Sequence, residues 1–306
     1  ERPKELQPEH GASRAGRPNG HEVALPMSSA IAYKIPRLFW QVVVAMTAVL
    51  MVTPVVWMVS TAFKPESDVL KPDPRWIPEH ATFENFRNLF ARADEFPVLR
   101  WLANSVGIAL AVTFLVLLIS SMAAFALSRL QFKGRDSLFY LIVATMVIPS
   151  QVMLIPVFLI VTKLGLFNTY AGIVLPGLAS AFGVFLLRQF FVAIPRDFEE
   201  AAYLDGAGLW TTYSRVIMPL AKPALATLAI FTFMGSWNSF EWPLIVTNDI
   251  EMRTLPVGLS IFQGRYNLEY GITMASSLLT TLPMIVAFLF FQKRITEGIA
   301  LTGIKG

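Results

Sequence analysis

Long apolar stretches separated by short polar segments dominate the chain from about residue 38 onwards. A membrane-spanning helix needs about 20 mostly apolar residues to cross roughly 30 Å of hydrocarbon, and six stretches meet that requirement. The run 106–119 has no charge and hardly a polar residue, so it offers no solvent-facing side and excludes a soluble helical bundle. The pattern predicts an all-α membrane protein with six transmembrane helices, at about residues 38–60, 102–127, 138–161, 171–192, 223–246 and 273–292.

Prolines interrupt several of these stretches. Proline in the interior of a soluble helix is costly, but membrane helices tolerate it where neighbouring groups satisfy the freed carbonyl. A polar residue near each proline fits this arrangement. We therefore expect bent helices packed into a bundle, with bends near Pro54, Pro149, Pro156, Pro176, Pro243 and Pro283.

The first 34 residues differ from the rest because they are polar and rich in proline, glycine and charge. Such a composition disfavours a packed core, and the segment lacks the basic, apolar and small-residue order of a signal peptide. We expect residues 1–34 to form a disordered cytoplasmic tail and residues 35–306 to form one six-span domain.

Lysine and arginine are distributed unevenly between the two sides that six spans define. Segments on the side of both termini hold 16 of the 25 basic residues, and segments on the other side hold nine. Cytoplasmic segments of membrane proteins carry the excess of basic residues. The distribution predicts an N-in, C-in topology, in which 193–222 is the largest internal cytoplasmic loop and 61–100 and 247–272 lie outside.

The composition excludes most chemical functions. The chain is 55% hydrophobic and 15% charged, with a mean hydropathy of +0.56, well outside the range of soluble domains. It has no cysteine, and His10 and His21 lie in the predicted tail. We therefore expect no catalytic residue and no metal site. Basic cytoplasmic loops explain the net charge of +4, so we expect no nucleic-acid partner.

The 193–222 loop has the pattern of a compact pair of helices. Its first helix is expected after Pro195, because an acidic first turn favours a helix N-terminus. Gly206 permits the turn with positive φ that ends a helix. A second short helix is expected at roughly 207–217, stopping at Pro219.

The same loop carries a family resemblance. Glu200-Ala201-Ala202 is followed after three residues by Gly206, and after nine more by Val216-Ile217-Met218-Pro219. This spacing resembles the EAA loop of ATP-binding-cassette (ABC) importer permeases, which ends in Ile-x-Leu-Pro. From about residue 35 onwards the chain is similar to carbohydrate-uptake permeases that resemble the smaller maltose-transporter permease subunit. Supporting stretches are GLFNTYAGIVLP (165–176), LRQFF (187–191), SWNSFEWPL (236–244) and MRTLPVGL (252–259).

The resemblance implies a type I importer permease fold in a bacterial or archaeal cytoplasmic membrane. It also implies four partners: a second homologous permease, two ATPase subunits and an extracytoplasmic solute-binding protein. The chain has no phosphate-binding G-x-x-x-x-G-K-S/T motif, so we expect it not to be an enzyme. We expect no cofactor in this chain, with ATP and magnesium bound by the ATPase partner.

The resemblance assigns roles to residues of the loop. Its first helix would dock in a cleft of the ATPase, with Glu200 and Asp205 paired to basic groups there. Small side chains at Ala201, Ala202 and Ala207 would permit close approach, and Gly206 would set the turn. The alternative is that these residues only start, fill and end a helix.

Polar residues inside membrane spans are candidates for the substrate pathway. Asn238 and Glu241 lie about one helical turn apart in the fifth predicted span, beside Trp237. An aromatic ring beside hydrogen-bonding groups suits a sugar, whose apolar face stacks while its hydroxyls bond. Gln151 in the third span is a further candidate. Hydrogen bonds between helices are the alternative role for all of them.

The 247–272 segment resembles the one that projects into the binding protein in the maltose transporter. Its polar residues Gln263, Gly264, Arg265, Tyr266 and Asn267 are the candidate contacts. A plain connector explains them nearly as well.

The sequence therefore predicts a permease subunit of an ATP-driven, binding-protein-dependent sugar importer. An importer for glycerol 3-phosphate or another polyol-type solute is the alternative within the class. A stand-alone secondary transporter is an alternative from another class, but such proteins couple through intramembrane acids, and only Glu241 is available. The sequence does not identify the sugar.

Overall fold

The computed structural model describes residues 37–71, 73, 75–265 and 269–303, and every regular element among them is a helix. The predicted tail 1–34 and two candidate contact residues, Tyr266 and Asn267, lie outside the described residues. The helices are α1 (Arg37–Ala62), α2 (Glu66–Val69), α3 (Glu84–Ala91), α4 (Val98–Arg129), α5 (Arg135–Thr145), α6 (Ser150–Lys163), α7 (Tyr170–Val174), α8 (Ala181–Ala193), α9 (Asp197–Leu204), α10 (Leu209–Thr211), α11 (Met218–Leu220), α12 (Lys222–Trp237), α13 (Glu241–Val246), α14 (Leu255–Arg265) and α15 (Tyr270–Gly303). Short 3-10 turns occupy Leu175–Leu178 and Ile250–Met252, and a π-helical turn occupies Thr212–Ile217.

The chain divides into two compact units, one up to Met51 and one from Val52 onwards. In the first unit, α1 exposes apolar side chains such as Leu38, Val44 and Leu50, as a lipid-facing helix does. All the candidate site residues belong to the second unit.

Within the described part of the chain, three helices are long and apolar enough to cross a membrane unbroken. These are α1, α4 and the first part of α15, and they coincide with the first, second and sixth predicted spans. Three further pairs of helices, each bent at a short break, would bring the number to six. The count of six spans and the N-in, C-in topology stay predictions.

The third predicted span consists of two helices that are broken at Pro149, one of the positions where a bend is expected. Helices α5 and α6 meet at 101°, and Pro149 is the extended residue that precedes α6. Proline cannot donate to the preceding turn, and it disfavours helical geometry in the residue before it, so α5 cannot continue into α6. The fourth span is bent by 43°. The bend lies between the 3-10 turn at Leu175–Leu178 and the start of α8, where the Ser180 hydroxyl accepts the Gly183 N–H.

The fifth predicted span is also not continuous. Helix α12 ends at Trp237, and α13 begins at Glu241, with three residues between them. Asn238 is therefore the C-cap of one helix and Glu241 the first residue of the next. The prediction that the two lie one turn apart on one helix is wrong.

Helix α4 forms the centre of the second unit and packs chiefly against α8 and α12. Two buried apolar clusters lie along it, and they hold the two candidate loops to the helix bundle. The cluster near its C-terminal end includes Phe125, Leu187, Phe191, Ile217 and Leu228. The cluster near its N-terminal end includes Leu89, Phe96, Trp101, Trp237 and Leu255.

Candidate functional site

The first half of the 193–222 loop folds as its sequence predicts. Helix α9 starts shortly after Pro195 and carries three acidic residues in its first turn. It ends at Leu204, and Gly206 has a φ of +82°. The amide of Ala207 donates to the carbonyl of Ala202 at 2.9 Å, which closes the turn. Gly206 is therefore required by backbone geometry, because residues with a Cβ resist this conformation.

The second half of the loop differs from the prediction. The helix that was expected to stop at Pro219 continues to Leu220, through α10, the π-helical turn and α11. Pro219 lies in the first turn of α11, where its missing N–H costs little. The chain bends by 77° only after Leu220, at the start of α12. A proline therefore ended the predicted helix too early.

The outer surface of this loop is both acidic and apolar. Glu200, Ala201, Asp205 and Gly206 are exposed, and Ala202 and Ala207 are half-buried. Sequence reasoning missed the large apolar side chains around them, of which Leu204 is 90% exposed. The others are Phe198, Tyr203, Leu209 and Trp210. A contiguous exposed apolar patch rimmed by charge is typical of a protein-binding surface.

The inner side of the loop holds a buried ion pair that the sequence did not reveal. Glu199 Oε1 lies 2.8 Å from Arg129 Nε, and the two side chains are only 9% and 4% exposed. Arg129 Nη2 also donates to the carbonyls of Phe191 and Ile194, at 2.6 and 2.8 Å. In the sequence, Arg129 is a basic residue beside a predicted span, and Glu199 is an acid in the first turn of a helix. Neither feature indicates that the two residues pair.

A cavity of about 980 Å³ lies among α4, α6, α8, α12 and α13. It brings together Gln151, Asn238 and Glu241, three of the four pathway candidates. Serine and threonine hydroxyls, several aromatic rings and many aliphatic side chains, such as Val112, Leu154 and Ile173, complete the lining. Glu241 is the only ionisable residue among the described residues that line it. The cavity therefore offers hydrogen-bonding groups, apolar surface and a single negative charge.

The fourth pathway candidate, Trp237, does not line this cavity. Its side chain is 1% exposed, stacks on Phe233 and donates through Nε1 to the carbonyl of Thr280 at 3.3 Å. A solute in the cavity cannot stack on this buried ring. Trp242 lines the cavity instead, with its Nε1 bonded to the carbonyl of Gly172 at 3.2 Å. Because the chain breaks after α12, Trp237 is buried among the helices whereas Trp242 lines the cavity.

The 247–272 segment is more ordered than its polar sequence suggests. Gln263, Gly264 and Arg265 form the last turn of α14, and Gly264 is exposed. The start of the segment is held to α4 through backbone atoms. The Trp101 indole donates to the carbonyl of Ile250 at 2.6 Å. The Asn104 amide donates to the carbonyls at 251 and 253, and Ser105 accepts the N–H of residue 255 at 2.8 Å.

The end of this segment is held by charged groups. Glu66 accepts the N–H groups of Tyr270 and Gly271 at 2.9 and 2.8 Å, at the N-terminus of α15. Arg92 of α3 donates to both carboxylate oxygens of Glu269 at 3.2 Å. Both ends of the segment are therefore fixed to the bundle.

No group of three or more histidine, aspartate or glutamate side chains that could hold a metal ion occurs among the described residues. A metal centre consequently has no support in the part of the chain that the structure describes.

Comparison with known proteins identifies the family to which this fold belongs. A family model described as "Binding-protein-dependent transport system inner membrane component" matches residues 116–299, more than half of the chain. A solved bacterial ABC transporter involved in the import of the acidic polysaccharide alginate has a chain similar to this one, with a TM-score of 0.75 and 25% identity, over 84% of this chain and 95% of that one.

The chain belongs to the family of inner membrane components of binding-protein-dependent transport systems, and it is a multi-pass membrane permease with the expected fold. Several relatives are permease proteins of sugar transport systems. The arabinooligosaccharides transport system permease protein AraQ of Halalkalibacterium halodurans is 34% identical, over 89% of this chain and 98% of the relative. The trehalose transport system permease protein SugB of Mycobacterium tuberculosis is 36% identical, over 88% and 97%.

Proposed function

We propose that this chain is the permease subunit of an ATP-driven sugar importer and forms half of its translocation pathway by alternating access. The observation that carries the proposal is the cavity of about 980 Å³, with hydroxyl, amide and aromatic groups on its walls. Such a lining suits an uncharged carbohydrate, whose hydroxyls need hydrogen-bond partners and whose ring faces are apolar. The sugar systems named for the relatives support the same class of substrate.

The charge of the cavity favours a neutral sugar over glycerol 3-phosphate. A phosphate is held most firmly where basic side chains supply a full positive charge beside a helix N-terminus. Helices α6, α8 and α13 begin at the cavity wall and supply N-termini without such side chains. None of the described lining residues is basic, and Glu241 adds a negative charge. An anionic solute would therefore meet repulsion in the part of the pathway that this chain supplies.

Energy for transport would enter through the 193–222 loop. Glu200 and Asp205 are exposed and therefore available to basic groups of an ATPase subunit, and Leu204 and Trp210 offer apolar contact beside them. Two ATPase subunits would bind ATP and magnesium, and a second homologous permease would complete the pathway. A solute-binding protein would dock on the opposite side, at the 247–272 segment.

Purification through a tag on this chain tests the proposal. We expect a second permease and an ATPase to co-purify in detergent. ATPase activity in proteoliposomes should rise when the binding protein is added with a neutral oligosaccharide, such as an arabinooligosaccharide or trehalose. An oligouronate and glycerol 3-phosphate serve as anionic comparisons. Uptake by this chain alone, or stimulation by the anionic solutes only, would contradict the proposal.

A further inference from the structure

Two neighbouring glutamates of α9 have opposite surroundings. Glu200 is exposed, and its side chain makes no hydrogen bond or ion pair with any described residue. Glu199, one residue earlier, is buried against Arg129 at 2.8 Å. The acidic first turn therefore contains one residue available to a partner protein and one committed to this chain.

Arg129 joins three elements at one point. It is the last residue of α4, and its Nη2 donates to Phe191 in the last turn of α8 and to Ile194 just beyond it. Its Nε lies 2.8 Å from Glu199 Oε1 in the first turn of α9, a contact between charges that lacks hydrogen-bond geometry. A guanidinium group can do this because its planar fork presents donors in several fixed directions. One side chain thus joins the start of α9 to both α4 and α8.

We propose that Arg129 and Glu199 are positioning residues, which fix the direction of α9 and transmit its displacement to α4 and α8. Both helices line the cavity, so a change in the direction of α9 has a short route to the solute pathway. Only the source of the displacement, an ATPase docked on α9, rests on the proposed function. The positioning itself belongs to this chain.

The nature of the pair argues for orientation over stability. A buried ion pair must overcome the desolvation of both charges, and apolar residues of similar volume often replace such pairs without loss of stability. What apolar residues cannot replace is the directed contact to a carboxylate and two carbonyls at once. A double variant that removes both charges therefore separates the two roles.

Spin labels can report the position of α9 without any partner protein or solute. Because the chain has no cysteine, two introduced cysteines carry the only labels. Leu204 at the end of α9 and Leu138 on α5 are both exposed and suit this purpose. The width of the distance distribution between the two nitroxides measures how firmly α9 is held.

Three variants of the labelled protein form the test. Glu199→Gln should broaden the distribution at least about twofold, because it leaves the buried guanidinium without a carboxylate. Glu200→Gln, the same change one residue later, should leave the distribution unchanged. The double variant Arg129→Met with Glu199→Leu should recover the thermal stability that Glu199→Gln loses while its distribution stays broad. A narrow distribution in both the Glu199→Gln and the double variant would overturn the proposal.

The assembled transporter gives the second measurement, which is the ratio of ATPase activity with and without the binding protein. In the double variant we expect the ATPase still to co-purify. We expect the ratio to fall about tenfold, because α9 no longer transmits its displacement to α4 and α8; this change corresponds to about 1.4 kcal/mol of lost coupling. A normal ratio with a broad distribution would overturn the transmitting role. If no ATPase co-purifies with the unaltered chain, the proposed function fails, whereas the spin-label result on α9 still stands.

Discussion

The 193–222 loop and the 247–272 segment are attached to the same helix, α4, in different ways. The loop is held at the C-terminal end of α4 chiefly by side chains: the ion pair of Arg129 and Glu199, a 2.8 Å hydrogen bond between Ser121 and Tyr213, and a buried apolar cluster. The segment is held at the N-terminal end by neutral side chains that bind its backbone, including Trp101 and Asn104. Attachment through backbone atoms fixes the path of a segment whatever side chains it carries. Attachment through side chains depends on which residues the loop carries, so substitutions in the loop can change how it is held.

The largest effect is expected from the turn at Gly206. We predict that Gly206→Val leaves the protein inserted in the membrane but lowers ATP-driven uptake by at least about tenfold. A Cβ at this position meets no atom within 4 Å, so the loss comes from the backbone. The φ of +82° is unfavourable for a β-branched residue by about 1–2 kcal/mol, and the turn that presents α9 must change.

Gly208→Val is the matched control for this experiment. Its Cβ is equally free of neighbours, but its φ of −79° suits any residue. Uptake should therefore stay close to that of the unaltered protein. Equal uptake by the two variants would show that the loop tolerates changes of its path, which would remove the basis for its role in coupling.

A smaller effect is expected where α14 packs on α4. The methyl group introduced by Gly258→Ala would overlap the indole ring of Trp101, which is fully buried. We predict a loss of about 1–3 kcal/mol of stability, because the ring must shift in a packed cluster. Thermal unfolding followed by tryptophan fluorescence measures this, and the fluorescence of the purified protein should change as well.

Gly264→Ala provides the comparison in the same helix. This residue is exposed, and a Cβ there has nothing within 4 Å. Alanine is favoured over glycine by roughly 0.5–1 kcal/mol in a helix interior and by less in a last turn, so this variant should be at least as stable as the unaltered protein. If Gly258→Ala behaves in the same way, the attachment of the segment to α4 is looser than the contact with Trp101 implies.

Local signals predicted much of the fold and part of the candidate site. Three uninterrupted spans, the start of α9 and the turn at Gly206 follow from hydrophobic length, first-turn acids and glycine geometry. These features depend on residues close together in the chain. The breaks in the third and fifth spans do not show in an apolar count, because both halves of a broken helix are equally hydrophobic. Pro149 predicts a bend in the third span, but it does not predict that the two halves meet at 101°.

The facing of individual side chains could not be predicted. Helix α9 has eight residues, too few for a periodic pattern to distinguish Glu199 from Glu200. The position of Arg129, 70 residues earlier in the chain, decides which of the two glutamates is buried. The same holds for Trp237 and Trp242, whose surroundings depend on a break between them and on contacts with α15 and α7. Long-range packing therefore decides which polar and aromatic residues reach the cavity.

The smallest effect is expected at the charged end of the 247–272 segment. Glu66→Gln should speed amide hydrogen exchange at Tyr270 and Gly271 by about fivefold, which corresponds to roughly 1 kcal/mol. The carboxylate of Glu66 accepts both N–H groups, and glutamine would turn a donor towards one of them. Exchange followed by mass spectrometry on peptides that cover the start of α15 measures the effect.

Glu84→Gln in the exposed first turn of α3 is the control and should leave this exchange unchanged. Because Trp101 and Asn104 hold the other end of the segment without charge, exchange in the first turn of α14 should stay slow in both variants. A faster rate there would mean that the two ends are not held independently, and that the backbone attachment to α4 is weaker than its hydrogen bonds indicate.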